Sequence, residues 1–365
     1  MTAAAAPELS IVIPTYNERG NLHELISRLR SALHGVAWEA ILVDDDSPDG
    51  TSRAARELAR EEPRVRCMRR IGRRGLSSAC VEGMLSCSSP FIAVMDADLQ
   101  HDPALLRRML EVMRAGETDI VVGSRYVEGG GVGDWDSTRV RISQVATRLS
   151  ALVMKAPVRD PMSGYFMLRQ DVIEDCAPRL SSLGFKILLD IVSSVPPGTR
   201  VRELPFVFGQ RHAGDSKLSS NVVWEYLLLL ADKMFGKYVP VRFVAFAVIG
   251  SVGVLVHFLV LSIAFNPFGV GFTAAQTVAT VAAMVFNYSV NNVLTYSGFT
   301  LKGAAWFKGL LSFMVVCSIG AVANVGAATY LFGRATSWPL AALAGVVLGA
   351  VWNYAVSARY TWRAK

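Results

Sequence analysis

FIAVMDADLQ, residues 91–100, decides the fold. Its apolar run from Phe91 to Met95 suits a short strand buried in a sheet, and at its end stand two carboxylates, Asp96 and Asp98, separated by Ala97. Working outward, the same design recurs. LSIVIP (9–14) is apolar and β-branched, EAILV (39–43) runs into acidic residues, and Val65–Met68 and DIVVG (119–123) complete a series of strands. Between them Leu22, Leu25, Ile26, Leu29 and Leu33 fall at helical spacing, with Asn17 as the expected N-cap. Further helices are expected over Thr51–Glu61, Ser77–Leu85 and Pro103–Arg114. Strands alternating with helices predict a mostly parallel sheet with helices on both faces. Ligands of such sheets bind outside the carboxyl ends of the strands. Polar clusters at Thr15–Glu18, Asp44–Asp49 and Asp96–Gln100 fall at three such ends.

The remainder of the chain is of another kind. Charged residues recur every few positions from Pro7 to about Arg211 and nearly vanish from Val241 to Ala358, within a chain of 365 residues that is 52% hydrophobic. Four segments, 243–265, 272–294, 310–332 and 338–358, approach the roughly 20 residues needed to cross a bilayer. A soluble bundle would need all four as long, nearly uncharged core helices. The expected organisation is a first domain over 1–220, a linker over 221–240 and a membrane domain over 241–365. NVVWEYLLLLADKMF (221–235) is too short to span comfortably and reads as an interfacial helix, with a packed core helix as the alternative. FNYSV (286–290) is echoed by WNYAV (352–356), Thr295-Tyr296 by Thr361-Trp362, and Ile249-Gly250 by Ile319-Gly320. The tail therefore reads as two helical hairpins of one design.

Positive residues flank alternate ends of these segments. Lys233, Lys237 and Arg242 precede the first, Lys302 and Lys308 lie between the second and third, and Arg359, Arg363 and Lys365 follow the fourth. Asn266–Gly271 carries no charge, and Arg334 stands alone between the third and fourth. Both termini are thus expected on the cytoplasmic side of a cell or ER-type membrane. MTAAAAPELS has no charged start and no long apolar core, so no signal peptide is expected. Five scattered cysteines without CxxC spacing fit reduced thiols. The net charge of +7 comes with no helix-turn-helix, zinc-finger or aromatic-basic sheet motif, which argues against nucleic acid and for a membrane surface with a phosphorylated substrate.

Asp96 and Asp98 could hold a divalent cation against a diphosphate, though an acidic turn after a strand gives the same pattern alone. Their company is more specific. IPTYNE (13–18), VDDDSPDGT (43–51), RRGLSSA (73–79), MDADLQHDP (95–103), GSRY (123–126), DPMSGYF (160–166) and RHAGDSKLS (211–219) occur in order. Together they resemble the family 2 glycosyltransferases of the dolichol-phosphate mannose synthase type, over about residues 8–220, and the tail resembles the GtrA-like membrane domain fused to some of them. That resemblance implies a GT-A (Rossmann-like) α/β catalytic domain followed by an all-α transmembrane domain of four helices.

It also implies roles. Pro14, Tyr16 and Glu18 would line the nucleotide pocket, and Val43 and Asp45 would hold base and ribose. Asp96, Ala97, Asp98 and Gln100 would hold the diphosphate and a Mg²⁺ or Mn²⁺ ion, with Asp98 and Gln100 as direct ligands. Arg125, Arg211 and Lys217 would neutralise phosphate, making Asp98, Arg125 and Lys217 the expected catalytic set. Beyond the glycine-rich Gly129–Gly133, Arg139 and Ser143, with Arg125, would bind the acceptor phosphate; an ordinary flexible loop is the plainer reading. These glycines lack the strand context of a dinucleotide fingerprint. Tyr165-Phe166 departs from the aromatic-arginine pair of many mannose synthases, and the QxxRW motif of processive relatives is absent. His23 and His34 read as solvated, His101 and His212 match no required role, and His257 lies inside a span.

The implied reaction is inverting transfer of mannose from GDP-mannose to dolichyl or polyprenyl phosphate, among membrane lipids, releasing GDP. Three alternatives stand beside it. UDP-glucose could be the donor. A neutral hydroxyl acceptor would need Asp134 or Asp136 as general base. A lipid-linked-sugar translocator or scaffold would put the function in the tail.

Overall fold

The computed structural model describes residues 6–131, 137–181, 184–207, 209, 220–236, 238–265, 268, 271–296, 299–334 and 338–362. They fall in two units, Met1–Met234 and Phe235–Lys365.

Among the described residues, the first unit is organised on seven strands in the order β3-β2-β1-β4-β6-β5-β7. β1 (Leu9–Thr15), β2 (Trp38–Asp44), β3 (Val65–Arg69), β4 (Phe91–Val94) and β5 (Ile120–Ser124) are the strands expected from the sequence. β6 (Phe166–Arg169) runs antiparallel between β4 and β5, and β7 (Val201–Pro205) extends the edge parallel to β5. Because β6 is reversed, the residues leading into it emerge at the same sheet edge as the carboxyl ends of β4 and β5.

Side-chain alternation divides the core. Leu9, Ile11 and Ile13 point to one face with Ala40 and Leu42, packing on α1 (Leu22–Ala32), α2 (Thr51–Glu61) and α4 (Ala104–Arg114). Val12, Ile41 and Val43 point to the other, where α3 (Leu76–Leu85), α5 (Ser137–Ser150), α6 (Gln170–Cys176) and α7 (Ile187–Ser194) lie. Gly83 lets α3 approach the sheet: a Cβ there would sit 2.4 Å from Val12 and 2.9 Å from Val43. Asn17 is not the cap of α1. Asn21 flanks that helix, while Asn17 takes φ +60 in the preceding loop.

The segment expected as an interfacial linker forms α8 (Ser220–Phe235), and its residues through Met234 fall in the first unit. Tyr226, Leu229 and Leu230 join the core beside α7. Tyr226 Oη donates to the Ala146 carbonyl (2.6 Å). Lys233 pairs with the fully buried Asp190 and donates to the Arg179 carbonyl and Ser194 Oγ, both at 2.9 Å. The outer face of α8 exposes Val223, Leu227 and Met234.

The second unit holds α9 (Val241–Phe265), α10 (Phe272–Leu294), α11 (Ala304–Phe332) and α12 (Trp338–Val356), closed by a π-helical turn at Ser357–Thr361. α9 packs chiefly on α10, and α11 on α12. By length and composition, Val241–Ala264 and Ala304–Asn324 qualify to cross a membrane among the described residues. Both helix pairs use the same contact. A Cβ on Gly253 would lie 2.1 Å from Asn287 Oδ1, and one on Gly320 would lie 2.1 Å from Asn353 Oδ1. The structural counterpart of Gly320 is therefore Gly253, not the Gly250 suggested by the sequence echo, whose Cβ would meet nothing within 4 Å.

Since overpacking a close contact costs about 1–3 kcal/mol, Gly253→Leu and Gly320→Leu should each lower the unfolding midpoint of the detergent-purified protein, while Gly250→Leu should leave it nearly unchanged. Equal midpoints for all three would show that the glycine–asparagine contact does not hold the hairpins.

Candidate active site

The carboxyl ends of β2, β1 and β4, adjacent in the sheet, bear the three polar clusters. Beyond a strand end, backbone N–H groups lose their ladder partners and must find others. The first two loops supply each other. Asn17 N–H donates to Ser47 Oγ (3.0 Å), Glu18 N–H to Thr51 Oγ1 (3.0 Å) and Arg19 N–H to Asp49 Oδ2 (3.3 Å). Asp49 Oδ1 in turn accepts from Thr51 N–H and Oγ1, and fully buried Asp44 accepts from Ser47 Oγ and N–H. These contacts account for the spacing of acids and hydroxyls in VDDDSPDGT.

Asp45 has a separate task. Its Oδ1 takes the Arg70 guanidinium (2.5 Å) and its Oδ2 the Gly75 N–H (2.7 Å). Arg70, itself buried, also reaches Ser78 Oγ at 2.6 Å and the Gly75 carbonyl at 3.2 Å. Burial raises the Asp45 carboxyl above the ordinary carboxylate range, against the opposing pull of Gly75 and Arg70. The loop closed by this hub carries Arg74, whose guanidinium lies 4.8 Å from the centroid of the Tyr16 ring. Pro14 and Val43 are buried neighbours in the sheet. The Val43 side chain packs in the core against α3, and its carbonyl accepts from Thr15 Oγ1 at 3.4 Å.

After β4 the chain turns sharply. Leu99 holds φ +63, a left-handed conformation that is costly for a residue with a branched side chain. With Asn17 and Asp46 it completes the set of non-glycine residues at positive φ among those described, and all three lie in the loops just traced. Asp98 is buried, and its Oδ1 accepts the Gln100 N–H (3.2 Å). Gln100 pairs twice with Gly209: its Nε2 donates to the Gly209 carbonyl (2.9 Å), and Gly209 N–H donates to the Gln100 carbonyl (3.2 Å). No three His, Cys, Asp or Glu side chains converge on a metal-sized cage among the described residues. Asp96, Asp98 and Gln100 stand on one loop and offer oxygen donors, the chemistry that suits a small hard cation completed by phosphate and water.

DPMSGYF joins this edge from the other side. Asp160, fully buried, binds Arg125 in a two-pronged pair, Nε to Oδ2 and Nη2 to Oδ1, each 2.7 Å, and also accepts the Arg125 N–H at 3.0 Å. Its desolvated guanidinium is held charged, since the Asp160 contacts raise its pKa against the lowering effect of burial. Ser163 Oγ donates to the Gly123 carbonyl (2.7 Å), and a Cβ on Gly164 would lie 3.2 Å from Asp96 Oδ2. Tyr165 and Phe166 are both fully buried. Ser143, on α5, shares a 2.7 Å hydrogen bond with Tyr126 Oη, next to Arg125. Arg139 belongs to the same helix. Arg211, Lys217, Asp134 and Asp136 lie outside the described residues.

One residue was missed by sequence reasoning. His101 is buried, accepts the Asp96 N–H on Nδ1 (3.0 Å) and stacks on Tyr165. Burial pushes its pKa below the ordinary histidine range. A histidine directly after the DADLQ string was the available signal.

Comparison with known proteins follows the same division. Residues 10–177 match the model for glycosyl transferase family 2, and residues 245–362 that for the GtrA/DPMS transmembrane domain. A dolichol-phosphate mannosyltransferase of Pyrococcus furiosus is 36% identical over 359 residues, covering 97% of this chain and 99% of that protein. The chain belongs to the dolichol-phosphate mannosyltransferase family. The Saccharomyces cerevisiae dolichol-phosphate mannosyltransferase is 35% identical over 63% of this chain and 88% of its own. The polyprenol monophosphomannose synthase of Mycolicibacterium smegmatis is 35% identical over 61% and 85%. Family membership makes the chain a glycosyltransferase with a GT-A-like α/β unit and a C-terminal membrane domain.

Removing the Asp160 carboxylate would leave a buried arginine uncompensated, a change that costs about 3–5 kcal/mol in comparable sites. Asp160→Ala should therefore lower the unfolding midpoint of the purified protein and abolish transfer together. A variant with wild-type midpoint and turnover would show the pair to be dispensable.

Proposed function

We propose that this chain transfers mannose from GDP-mannose to a polyprenyl phosphate of the dolichyl type, inverting the anomeric carbon and releasing GDP. The observation that carries the reading is the convergence of the loops after β2, β1 and β4, with Asp96 and Asp98 on the last, at one sheet edge. The names of the aligned relatives support the mannosyl group and the lipid phosphate; GDP-mannose as donor is the further step.

In this reading Tyr16, beneath Arg74, lines the nucleotide pocket with Pro14 and Glu18, and Val43 helps hold the base. Asp45 serves base and ribose through the loop it closes. Asp96, Asp98 and the Gln100 amide oxygen would hold Mg²⁺ or Mn²⁺, which would supply positive charge against the departing diphosphate. Arg211 and Lys217 add positive charge to the same leaving group. On the acceptor side, Arg125, Arg139 and Ser143 orient the lipid phosphate. That phosphate has a second pKa of about 6, so near neutral pH it attacks without a general base and needs orientation above all.

The loop charges support both termini and the first unit on the cytoplasmic side of the membrane, with α9 to α12 as the anchor. The apolar outer face of α8, with Val223 and Leu227, suits a helix resting at the lipid surface.

Detergent-purified protein given polyprenyl phosphate should transfer sugar from GDP-mannose and not from UDP-glucose. EDTA should stop the reaction, and Mg²⁺ or Mn²⁺ should restore it. Asp98→Asn should cut kcat/KM by about 10²–10³ while leaving the fold intact, the usual loss for one electrostatic group at a developing charge. Transfer from UDP-glucose alone would keep the chemistry and replace the donor. Full activity in EDTA would remove the metal.

A further inference from the structure

We infer that His101 is a positioning residue for the aspartate loop, its imidazole fixing the Asp96 peptide and thereby the carboxylates that receive the cation. The last ladder-type bond along this strand is Met95 N–H to the Val12 carbonyl (3.2 Å). Asp96 N–H lies one residue beyond it and takes His101 Nδ1 as its acceptor at 3.0 Å. With Nδ1 accepting, the ring proton belongs on Nε2, and Nε2 stands 3.8 Å from Asp96 Oδ2. One imidazole thus accepts the main-chain N–H of Asp96 and lies beside the carboxylate of the same residue.

The ring is well fixed for this task. It stacks on Tyr165 with centroids 4.8 Å apart and planes at 13°, and meets the Phe206 ring edge-on at 5.3 Å. Tyr165 is anchored in turn by its hydroxyl, which donates to the Asp102 carbonyl at 2.7 Å. The left-handed turn at Leu99 brings the chain back so that His101 lies against Asp96. Phenylalanine would fill this aromatic slot equally well, so packing alone does not call for histidine; the hydrogen-bond acceptor does. Partners of this kind behind metal-binding groups typically account for about 10–100-fold in metal affinity.

The inference rests on the metal reading above, and the test separates the two. Mn²⁺ binding to the full-length protein with GDP is followed by the electron paramagnetic resonance of free Mn²⁺, for wild type, His101→Phe, His101→Asn and His101→Gln. His101→Phe should weaken Mn²⁺ binding about 10-fold or more with little change in the KM for polyprenyl phosphate. His101→Asn, whose Oδ1 can occupy the Nδ1 position, should recover most of that loss. His101→Gln, whose amide reaches toward the Nε2 position instead, should not, and this pair decides the matter should the phenylalanine variant fail to fold. Equal Mn²⁺ affinity in wild type and His101→Phe, or equal losses in the asparagine and glutamine variants, would overturn the inference while leaving the metal in place. Absence of Mn²⁺ binding by the wild-type complex would overturn both.

Discussion

Parallel strands end in backbone N–H and C=O groups that their own sheet cannot satisfy, and the catalytic unit depends on how β1, β2 and β4 meet that demand. Side chains do it: Ser47, Asp49 and Thr51 from the neighbouring loop for the loop after β1, and His101 from within the loop after β4 itself. A loop held this way cannot adjust independently. Residues that would be flexible acids on an ordinary surface become fixed donors and acceptors, and the strained conformations at Asn17, Asp46 and Leu99 persist because these contacts over-determine them. Asp44 and Asp49, the ends of the polar cluster after β2, are engaged in holding the loops.

This explains what the sequence could and could not disclose. Leu9–Pro14, Glu39–Val43 and Asp119–Gly123 announce themselves because a buried parallel strand is apolar throughout. β6 and β7 do not. FMLR is only four residues long, and VRELP sets adjacent Arg202 and Glu203 in a sheet-edge strand whose one buried residue is Leu204. The direction of β6 was equally hidden, yet it is what turns DPMSGYF toward the site. Motif resemblance marked Asp160 to Phe166 as a unit without giving its logic, which is a division of labour: Asp160 for Arg125, Ser163 for β5, Gly164 for Asp96 and Tyr165 for His101. His101 escaped because a positioning role is defined by a tautomer and a distance, neither of which leaves a trace in spacing.

The tail illustrates a different limit. Its apolar segments were legible from composition, since long uncharged helices have few soluble uses. The partner of each glycine was not. Sequence echo aligned Gly250 with Gly320, but helix packing is set by which residue faces the neighbouring helix, and a shift of three positions returns to nearly the same face. Gly253 is the residue that meets Asn287, as Gly320 meets Asn353. Small residues let helix backbones approach where lipid offers no hydrophobic drive for association, and the same device in both hairpins supports one ancestral design more strongly than the matched letters do.

Arginines at the site edge are matched by acids. Arg69 is matched by Asp46, Arg70 by Asp45 and Arg125 by Asp160. Each pair fixes a loop, and each largely cancels its own field. If this edge takes the proposed nucleoside diphosphate, further cationic charge has to come from elsewhere, and the proposed metal and RHAGDSKLS, the basic motif that begins at Arg211, are its sources in that reading. The doubly bonded contact between Gln100 and Gly209 joins the loop of the first to the chain entering the second. A side chain at Gly209 would bring a Cβ within 3.1 Å of the Gln100 carbonyl, which is why glycine stands there. The aspartate loop and Gly209, two residues before that motif, are thereby tied by one side-chain and one main-chain hydrogen bond, so on the proposed reading both sources of positive charge would depend on a single contact.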